Sequence, residues 1–167
     1  FGNVVNSAGS VLPLFNEQIM YGGPITITHK DVSRFFMLIP DAVGLVLFAS
    51  TMSQGGEIYV LDMGKEIKII DIAKKMANYY GYTIKDKENP NGDIEIKIIG
   101  LKSGEKLNEE LHLSKELKKT NHKYINISNE NIIPIDKIDE IIENIKEIIT
   151  QNRVEDLKNY ININVEK

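Results

Sequence analysis

Short runs of β-branched and other apolar residues recur along the chain and are separated by polar or glycine-containing segments. Such runs are typical of strands, because they are brief and rich in residues that suit a pleated surface. We predict strands over residues 1–5, 25–28, 34–38, 57–61, 93–99 and 124–128. Helical patterns lie between most of them, so the order of elements indicates an alternating α/β fold.

Apolar residues at three- and four-residue spacing predict the helices. Leu12, Phe15 and Ile19 share one face of the first helix, for which Ser10 is the expected N-cap. Further helices are predicted over residues 40–52, 70–80, 107–111, 135–149 and 154–160. The long helix near the end of the chain is amphipathic, with a face of isoleucines that is typical of ordinary packing.

The longest apolar run covers residues 42–49, inside the second predicted helix. It is far shorter than the roughly 20 residues that a membrane span requires. We therefore predict that this helix is buried within the protein and does not cross a membrane.

Composition limits the classes of function. The chain has 167 residues, 42% of them hydrophobic, so it can bury a core as one domain or as one half of a larger one. Its net charge is -4 and it has no long basic run, which argues against a nucleic-acid surface; residues 115–119 are interpreted as a solvated helix face. Cysteine is absent and the three histidines are scattered, so no disulfide or metal site is predicted.

Two segments carry candidate binding chemistry. Arg34 opens the predicted strand 34–38, and residues 100–107 read Gly-Leu-Lys-Ser-Gly-Glu-Lys-Leu, with Lys102 three positions before Glu105. Two cations and a carboxylate suit a diphosphate flanked by a ribose, because cations bind phosphate oxygens and a carboxylate accepts hydrogen bonds from hydroxyls. Taken singly, each segment is more typical of a surface arginine or an ordinary turn.

Further motifs, taken with these two segments, resemble one family. They are Phe-Gly-Asn-Val-Val at residues 1–5, Ser-Ala-Gly-Ser-Val-Leu-Pro-Leu-Phe at 7–15, Gly-Gly-Pro-Ile-Thr-Ile-Thr at 22–28 and Gly-Glu-Ile-Tyr-Val-Leu-Asp-Met-Gly at 56–64. The family is that of the CapD-like polysaccharide-biosynthesis proteins, which are UDP-N-acetylglucosamine 4,6-dehydratases and relatives among the extended short-chain dehydrogenase/reductases. The resemblance is strong over residues 1–111 and weak over 113–167, and it concerns the family's carboxyl-terminal half.

The resemblance implies an α/β, Rossmann-type fold that lacks the dinucleotide-binding half. The sequence contains no Gly-x-Gly-x-x-Gly motif, none of its seven tyrosines has a lysine four positions later, and it begins with Phe1. We therefore expect a fragment that binds no nicotinamide cofactor itself, whereas its parent enzyme binds NADP or NAD. Residues 1–112 are expected to form the substrate-binding part, and residues 113–167 a helical extension packed on it.

The resemblance also implies positions around a bound nucleotide sugar. Asn3 is expected near the sugar-phosphate, and Ser10 and Leu14 beside the nucleotide. Thr26 and Ile27 are expected to place their backbone near the uracil, because backbone donors and acceptors can recognise a pyrimidine edge. An asparagine at the end of a strand is also a common turn residue.

The charged residues receive their roles in the same way. Arg34 corresponds to a phosphate-binding arginine, Lys102 to a second phosphate-binding cation and Glu105 to the ligand of the ribose hydroxyls. Relatives commonly carry arginine where Lys102 stands, and lysine keeps the charge but lacks the planar fork that binds a phosphate bidentately. Lys106 and Glu109 are assigned to loop and helix structure.

On this resemblance, the parent enzyme oxidises C4 of UDP-N-acetylglucosamine, removes water across C5 and C6 and returns hydride to C6. We expect the chain to be its nucleotide-sugar recognition portion, inactive alone, in surface polysaccharide or glycan biosynthesis. The alternatives are a UDP-sugar C4 or C5 epimerase fragment, a non-catalytic binding module and a truncated product without function. The expected partners are a UDP-sugar and the upstream Rossmann half, in a homo-oligomeric parent in the cytoplasm or at the cytoplasmic face of the inner membrane.

Overall fold

The computed structural model describes residues 1–112, 116–129 and 133–164. The chain divides into two compact units, residues 1–130 and residues 131–167. The expected boundary between a substrate-binding part and an extension lies at residues 112 and 113, and residue 113 is outside the described residues. That boundary concerns substrate binding and stays a prediction.

Strands and helices alternate through the first unit, which confirms the α/β class. In chain order they are β1 Asn3–Val4, α1 Val11–Met20, β2 Ile25–Ile27, β3 Ser33–Arg34, β4 Phe36–Met37, α2 Ile39–Met52, β5 Ile58–Leu61, β6 Ile67–Lys68, α3 Ile69–Tyr79, β7 Ile84–Lys85, β8 Ile94–Ile98, β9 Leu117–Lys119 and β10 Ile125–Ser128. The second unit contains α4 Ile135–Thr150 and α5 Val154–Asn164. The helices predicted to begin at residues 40, 70, 135 and 154 each begin within one residue of that position.

The main hydrophobic core of the first unit lies between two helices and a parallel sheet. The sheet has the strand order β2-β8-β7, with Ile25 opposite Ile96. The helix α1 contributes Phe15, and α3 contributes Ala73 and Ala77; none of these three side chains is exposed. Alanine at successive turns lets α3 lie close against the sheet, because it has no bulk beyond Cβ.

A second sheet is antiparallel and has the order β5-β10-β9, which confirms the predicted strand 124–128. Ile125 pairs with Leu61, and both join Ala49 of α2 in a small core. The interpretation of residues 115–119 as a solvated helix face is wrong for 117–119, because their backbone pairs with β10 as strand β9. Residue 115 lies outside the described residues.

The predicted strand 34–38 is two short strands with different neighbours. Before Phe35, β3 pairs antiparallel with β6, and Arg34 lies opposite Ile67. After Phe35, β4 pairs in parallel with β1, and Phe36 lies opposite Asn3. The Asn3 N–H also donates a hydrogen bond to the Phe35 carbonyl oxygen at 2.9 Å. One continuous segment therefore joins the strand that carries Arg34 to a separate parallel pair.

The helix α2 is less buried than the sequence predicts. Ala42 and Ala49 are buried, but Val43, Val46 and Leu47 are about half exposed or more. An apolar helix requires cover on every side, yet its sequence does not say which part of a protein supplies that cover. The prediction of a buried helix is wrong for this structure.

The second unit is a pair of helices. The most buried isoleucines of α4 are Ile141 and Ile148, whereas Ile135, the first residue of the helix, is largely exposed. The Asn144 amide donates a hydrogen bond from Nδ2 to the Tyr160 hydroxyl oxygen at 2.9 Å, linking α4 to α5. Within the described ranges, no helix is both long enough and apolar enough to cross a membrane.

Two glycines provide opposite tests of this packing. A Cβ added at Gly92 lies 2.4 Å from the Ile84 carbonyl oxygen, a backbone atom that cannot move without distorting β7. A Cβ added at Gly44 meets nothing within 4 Å beyond its own helix backbone. We expect Gly92→Ala to lower the free energy of unfolding by about 1–3 kcal/mol, and Gly44→Ala to raise it by up to about 1 kcal/mol. Urea unfolding followed by circular dichroism measures both, and equal effects of the two substitutions contradict the described packing.

Candidate functional site

Arg34 is the central side chain of the candidate site, because its guanidinium is held between β3 and the loop that follows β8. Its Nη1 donates hydrogen bonds to the carbonyl oxygens of Ser33 at 2.7 Å and Leu107 at 3.1 Å. Only 13% of the side chain is exposed. Since Nη1 is used by the backbone, Nη2 and Nε form the edge of the guanidinium that faces other charged groups.

Glu105 lies against that edge of the Arg34 guanidinium. Its Oε1 is 3.5 Å from Nη2 of Arg34 and accepts a hydrogen bond from the Thr28 hydroxyl at 2.6 Å. Its Oε2 accepts a hydrogen bond from the backbone N–H of Lys102 at 3.1 Å. Two segments that are distant in sequence, residues 28–34 and residues 102–105, therefore meet at one carboxylate.

The pKa of the Glu105 carboxyl is lowered from its ordinary value. Partial burial is the largest single influence and acts to raise the pKa. The hydrogen bonds from Thr28 and the Lys102 N–H, together with the charges of Arg34 and Lys102, outweigh that effect. Glu105 is therefore ionised at neutral pH and acts only as an acceptor, which is the state that a ligand of hydroxyl groups requires.

Lys102 reaches the site through its backbone. Its N–H donates to Glu105, and its carbonyl oxygen accepts a hydrogen bond from the Glu105 N–H at 3.0 Å, which closes a turn. The Lys102 side chain is exposed, and its charge is close enough to lower the pKa of Glu105. The structure thus brings Arg34, Lys102 and Glu105 together, while their roles in binding stay predictions.

A second carboxylate, Glu66, fixes the loop against β3. Its Oε2 accepts a hydrogen bond from the buried Ser33 hydroxyl at 2.6 Å, and its Oε1 accepts one from the backbone N–H of Glu109 at 3.2 Å. The Ser33 N–H donates to the Leu107 carbonyl at 2.9 Å. Because these backbone groups are directed at β3 and Glu66, the short helix predicted over residues 107–111 does not form.

Sequence patterns did not identify three residues that contribute to this arrangement. Thr28 follows the short strand β2, where polar ligand-site residues are common in α/β folds, so a signal for it existed. Glu66 had no such signal. Glu109, which the sequence assigns to helix structure, places Oε1 4.0 Å from Nε of Arg34. Its Oε2 is buried, and no hydrogen-bond partner for it is found among the described residues.

The strand expected near the uracil has partners within the protein. The Thr26 N–H donates to Oε1 of Gln18 at 2.9 Å, and Nε2 of Gln18 donates to the Thr26 hydroxyl at 2.6 Å. Ile27 is buried, and its carbonyl accepts a hydrogen bond from the Ile99 N–H at 2.9 Å. A nucleobase that contacts these backbone groups must therefore share or replace existing bonds.

The remaining expected site residues lie in the first elements of the chain. Asn3 is in β1, and Leu14 is about half exposed on α1. Ser10 occupies the N-cap position of α1, as predicted, but its side chain makes no capping hydrogen bond, and its Oγ is buried without a partner among the described residues. Its N–H donates to the Ser7 carbonyl at 3.1 Å, so a backbone turn holds this end of the helix. The expected side-chain cap is therefore wrong.

The charged groups open onto a cleft of about 430 Å³. Its lining consists of Arg34, Gly104, Glu105, Lys106, Glu109 and Glu110. Two cations and three carboxylates leave the lining with an excess of one negative charge. A diphosphate therefore needs the further positive charge of Lys102, whose backbone forms the adjoining turn.

The Gly55-Gly56 pair does not have the placement of a dinucleotide-binding loop. Gly55 and Gly56 follow helix α2 and precede strand β5, whereas a dinucleotide loop follows a strand and opens a helix whose N–H groups face the phosphates. Among the residues that the structure describes, no three His, Asp or Glu side chains are grouped to hold a metal ion. The described site offers charges and hydrogen-bond acceptors.

A family model described as "Polysaccharide biosynthesis protein" matches residues 1–130. The chain belongs to this family. Within it, the capsular polysaccharide biosynthesis protein CapD of Staphylococcus aureus is 52% identical over 111 residues, which are 66% of this chain and 17% of CapD. The UDP-glucose 4-epimerase of Rickettsia massiliae is 38% identical over 119 residues, which are 71% of this chain and 32% of that protein.

The solved structure of Pen from Bacillus thuringiensis is similar in fold. It matches with a TM-score of 0.63 and 31% identity, over 86% of this chain and 47% of Pen. The chain thus spans less than half the length of each of these three relatives. The matches confirm the family predicted from the motifs and support its relationship to the short-chain dehydrogenase/reductases; the absence of a dinucleotide-binding half stays a prediction.

The lowered pKa of Glu105 predicts how its stabilising effect varies with pH. A carboxyl whose folded-state pKa lies below its unfolded value of about 4.3 stabilises the fold above that value. The stabilisation is lost as pH falls through the folded-state pKa. We expect Glu105→Gln to lower the free energy of unfolding by about 1–2 kcal/mol at neutral pH, and this difference to shrink in acid.

Urea unfolding at a series of pH values from neutral to acid measures this difference. Glu95→Gln, at an exposed position of β8, is the matched control and is expected to have little effect at any pH. The described role of the Glu105 carboxylate is contradicted if the loss of unfolding free energy in Glu105→Gln stays constant into acid. It is also contradicted if Glu95→Gln shows the same loss.

Removal of the Glu66 carboxylate is expected to loosen the loop. Glu66→Ala leaves the Glu109 N–H without its acceptor, and leaves the Ser33 hydroxyl with only Oδ1 of Asn108 at 3.0 Å, at a cost of about 1–3 kcal/mol. Glu66→Gln keeps an oxygen for the N–H and an amide that can bond the hydroxyl, so it should restore most of the loss. Hydrogen exchange at the Glu109 amide reports the loop directly; equal protection in the wild type and in Glu66→Ala contradicts this anchoring.

Proposed function

We propose that this chain is the nucleotide-sugar recognition portion of a UDP-N-acetylglucosamine 4,6-dehydratase that acts in polysaccharide or glycan biosynthesis. The observation that carries the proposal is the convergence of Arg34 and Glu105 at one cleft, beside the turn that carries Lys102, in a chain that belongs to the polysaccharide biosynthesis family. A UDP-sugar presents a diphosphate beside a ribose diol, which matches two cations beside an ionised carboxylate.

Under this proposal, different groups bind different parts of the ligand. Arg34 offers its Nη2 and Nε edge to a phosphate oxygen, because its Nη1 is occupied by the carbonyls of Ser33 and Leu107. Lys102 supplies a compact, exposed charge that balances the carboxylates of the cleft. Glu105 has accepted hydrogen bonds on both oxygens, and each carboxylate oxygen can accept more than one, so capacity for a hydroxyl remains.

The proposal places the chemical steps in another part of the parent enzyme. A nicotinamide cofactor, NADP or NAD, would supply hydride transfer there, and the residues of this chain bind and orient the nucleotide. The proposal therefore predicts no catalytic turnover by the chain alone. It also takes the parent enzyme to be a homo-oligomer that works in the cytoplasm or at the cytoplasmic face of the inner membrane. Its partners are a UDP-sugar and the dinucleotide-binding half.

A UDP-sugar epimerase is the second candidate. It is favoured by the 38% identity to a protein named UDP-glucose 4-epimerase in Rickettsia massiliae, over 71% of this chain. A dehydratase and an epimerase can share the same nucleotide clamp and differ in groups that act on the sugar. Assay of a full-length parent with UDP-N-acetylglucosamine separates them, because loss of water changes the mass of the product and epimerisation does not.

The clamp predicts a specific pattern of UDP affinities for the 167-residue chain. Arg34→Ala, Lys102→Ala and Glu105→Gln each remove a charge-assisted hydrogen bond worth about 1.5–3 kcal/mol, so we expect the dissociation constant to rise about tenfold to a hundredfold. Lys102→Arg should hold or improve the affinity, since guanidinium restores a planar fork for phosphate. Isothermal titration calorimetry with UDP measures all four variants.

Lys118→Ala is the matched control, because Lys118 is an exposed lysine on β9 whose removal leaves the clamp intact. Circular dichroism checks that each variant is folded. If the wild type fails to bind UDP, or if the charge-removing variants bind UDP as the wild type does, the proposed function is wrong. Inorganic pyrophosphate in place of UDP tests the phosphate contacts apart from the ribose contact of Glu105.

A further inference from the structure

Helix α4 carries a regular row of isoleucines that is largely exposed. Ile135 is 74% exposed and Ile149 is 58% exposed, and Ile138 and Ile142 are 40% and 43% exposed. With Ile145 they repeat at alternating three- and four-residue spacing, which gives the a and d positions of a heptad pattern. Such a row is typical of a helix that packs against another helix along its length. We call these five isoleucines the α4 seam.

The α4 seam is not the face of α4 that contacts α5. The buried residues Ile141 and Ile148 lie roughly a quarter turn around the helix from the seam. Asn144 shares their face, and its amide donates the hydrogen bond to the Tyr160 hydroxyl of α5. The helix pair therefore uses one face of α4 and leaves the neighbouring face largely in water. Because a continuous apolar row in water is unfavourable, the α4 seam marks a contact surface.

The charges beside the seam favour one orientation for a second copy of α4. Asp139 and Lys146 occupy the e positions that flank the seam, and both residues are exposed. When two copies of α4 run antiparallel and cross at Ile142, Ile135 lies opposite Ile149 of the partner subunit. Asp139 then lies beside Lys146 of the partner subunit, and two-fold symmetry forms this pair twice.

A parallel pair of α4 helices lacks this complementarity. In that orientation each e position faces a g position, and the g positions of α4 are the buried Ile141 and Ile148. Parallel pairing also brings together two amino-terminal halves that each carry an excess of acidic residues. Repulsion between like charges and between aligned helix dipoles opposes that arrangement. The antiparallel pair is therefore the favoured one.

We propose that the α4 seam is a homodimer interface, at which a second copy of this chain packs its own α4 antiparallel and completes a four-helix bundle. Two α4–α5 pairs supply the four helices, and isoleucine at both a and d positions favours assemblies of more than two helices. Within α4, Lys146 also pairs with Glu143 at 2.7 Å, and the three donors of its ammonium can bond both carboxylates. The inference extends the homo-oligomeric part of the proposed function and rests on α4, so it does not depend on the clamp at Arg34.

Charge reversal tests the interface in the 167-residue chain. Sedimentation equilibrium measures the dissociation constant of the dimer, and circular dichroism checks that each variant is folded. Asp139→Lys and Lys146→Asp each place like charges together at two symmetric positions, so we expect the constant to rise at least about tenfold. The double variant restores opposite charges and should return to within about threefold of the wild type. Glu140→Lys makes the same charge change at an exposed position of α4 away from the seam, and this matched control should have little effect.

Disulfide formation tests the antiparallel orientation, because the chain contains no cysteine. Two cysteines can join when their Cα atoms are within about 7 Å. Under mild oxidation, Ile142→Cys should join to itself and Ile135→Cys should not. A mixture of Ile135→Cys and Ile149→Cys should give a mixed dimer. Ile163→Cys, at an exposed position of α5, is the matched control and should remain unjoined.

A chain that stays monomeric up to about 100 μM overturns the proposal. So does a Glu140→Lys control that weakens the dimer as much as Asp139→Lys, or a folded double variant that fails to recover. Self-joining of Ile135→Cys indicates parallel helices and contradicts the proposal as well. UDP titration of the same samples is a separate readout: a dimer that does not bind UDP refutes the proposed function and keeps the interface, whereas a monomer that binds UDP refutes the interface alone.

Discussion

The largely buried charge of Arg34 is the constraint on which the rest of the site depends. A guanidinium that has lost most of its water is stable only where acceptors replace that water. The carbonyls of Ser33 and Leu107 and the carboxylate of Glu105 are those acceptors. Because Leu107 and Glu105 belong to one loop, the burial of the charge on β3 and the position of that loop are coupled. The site is therefore organised by the fold before a ligand arrives.

The same acceptors limit how Arg34 can bind an anion. Glu105 and Glu109 lie along the edge of the guanidinium that the backbone leaves open, so a phosphate must share that edge with two carboxylates. Within the described residues, Lys102 forms no ion pair, and its exposed ammonium is the positive charge that remains available. Under the proposed function, Arg34 organises the site and Lys102 supplies the attraction for the diphosphate. The identity of residue 102 is then expected to affect the affinity for the ligand directly, although this residue lies in a surface turn.

Elements with regular periodicity were predictable, and contacts between distant segments were not. The helix that begins at Ile135 follows from its isoleucine spacing alone, and the convergence of Arg34 with Glu105 was anticipated through the family motifs. Local patterns do not contain the bond from Thr28 to Glu105 or the role of Glu66, because each joins residues more than 30 positions apart. The helix expected over residues 107–111 does not form for the same reason, since the Leu107 carbonyl is bound by β3 and the Glu109 N–H by the distant Glu66 side chain.

The segment that follows Arg34 is held by two hydrophobic cores. Phe36 packs against the core around Phe15, and Met37 packs against the small core that includes Ala49 of α2. Neighbouring side chains of a strand point to opposite faces, so one short strand can contact both cores. Phe36 and Met37 connect Arg34 to the start of α2 within a few residues. The position of Arg34 therefore depends on the packing of both cores as well as on the acceptors around its guanidinium.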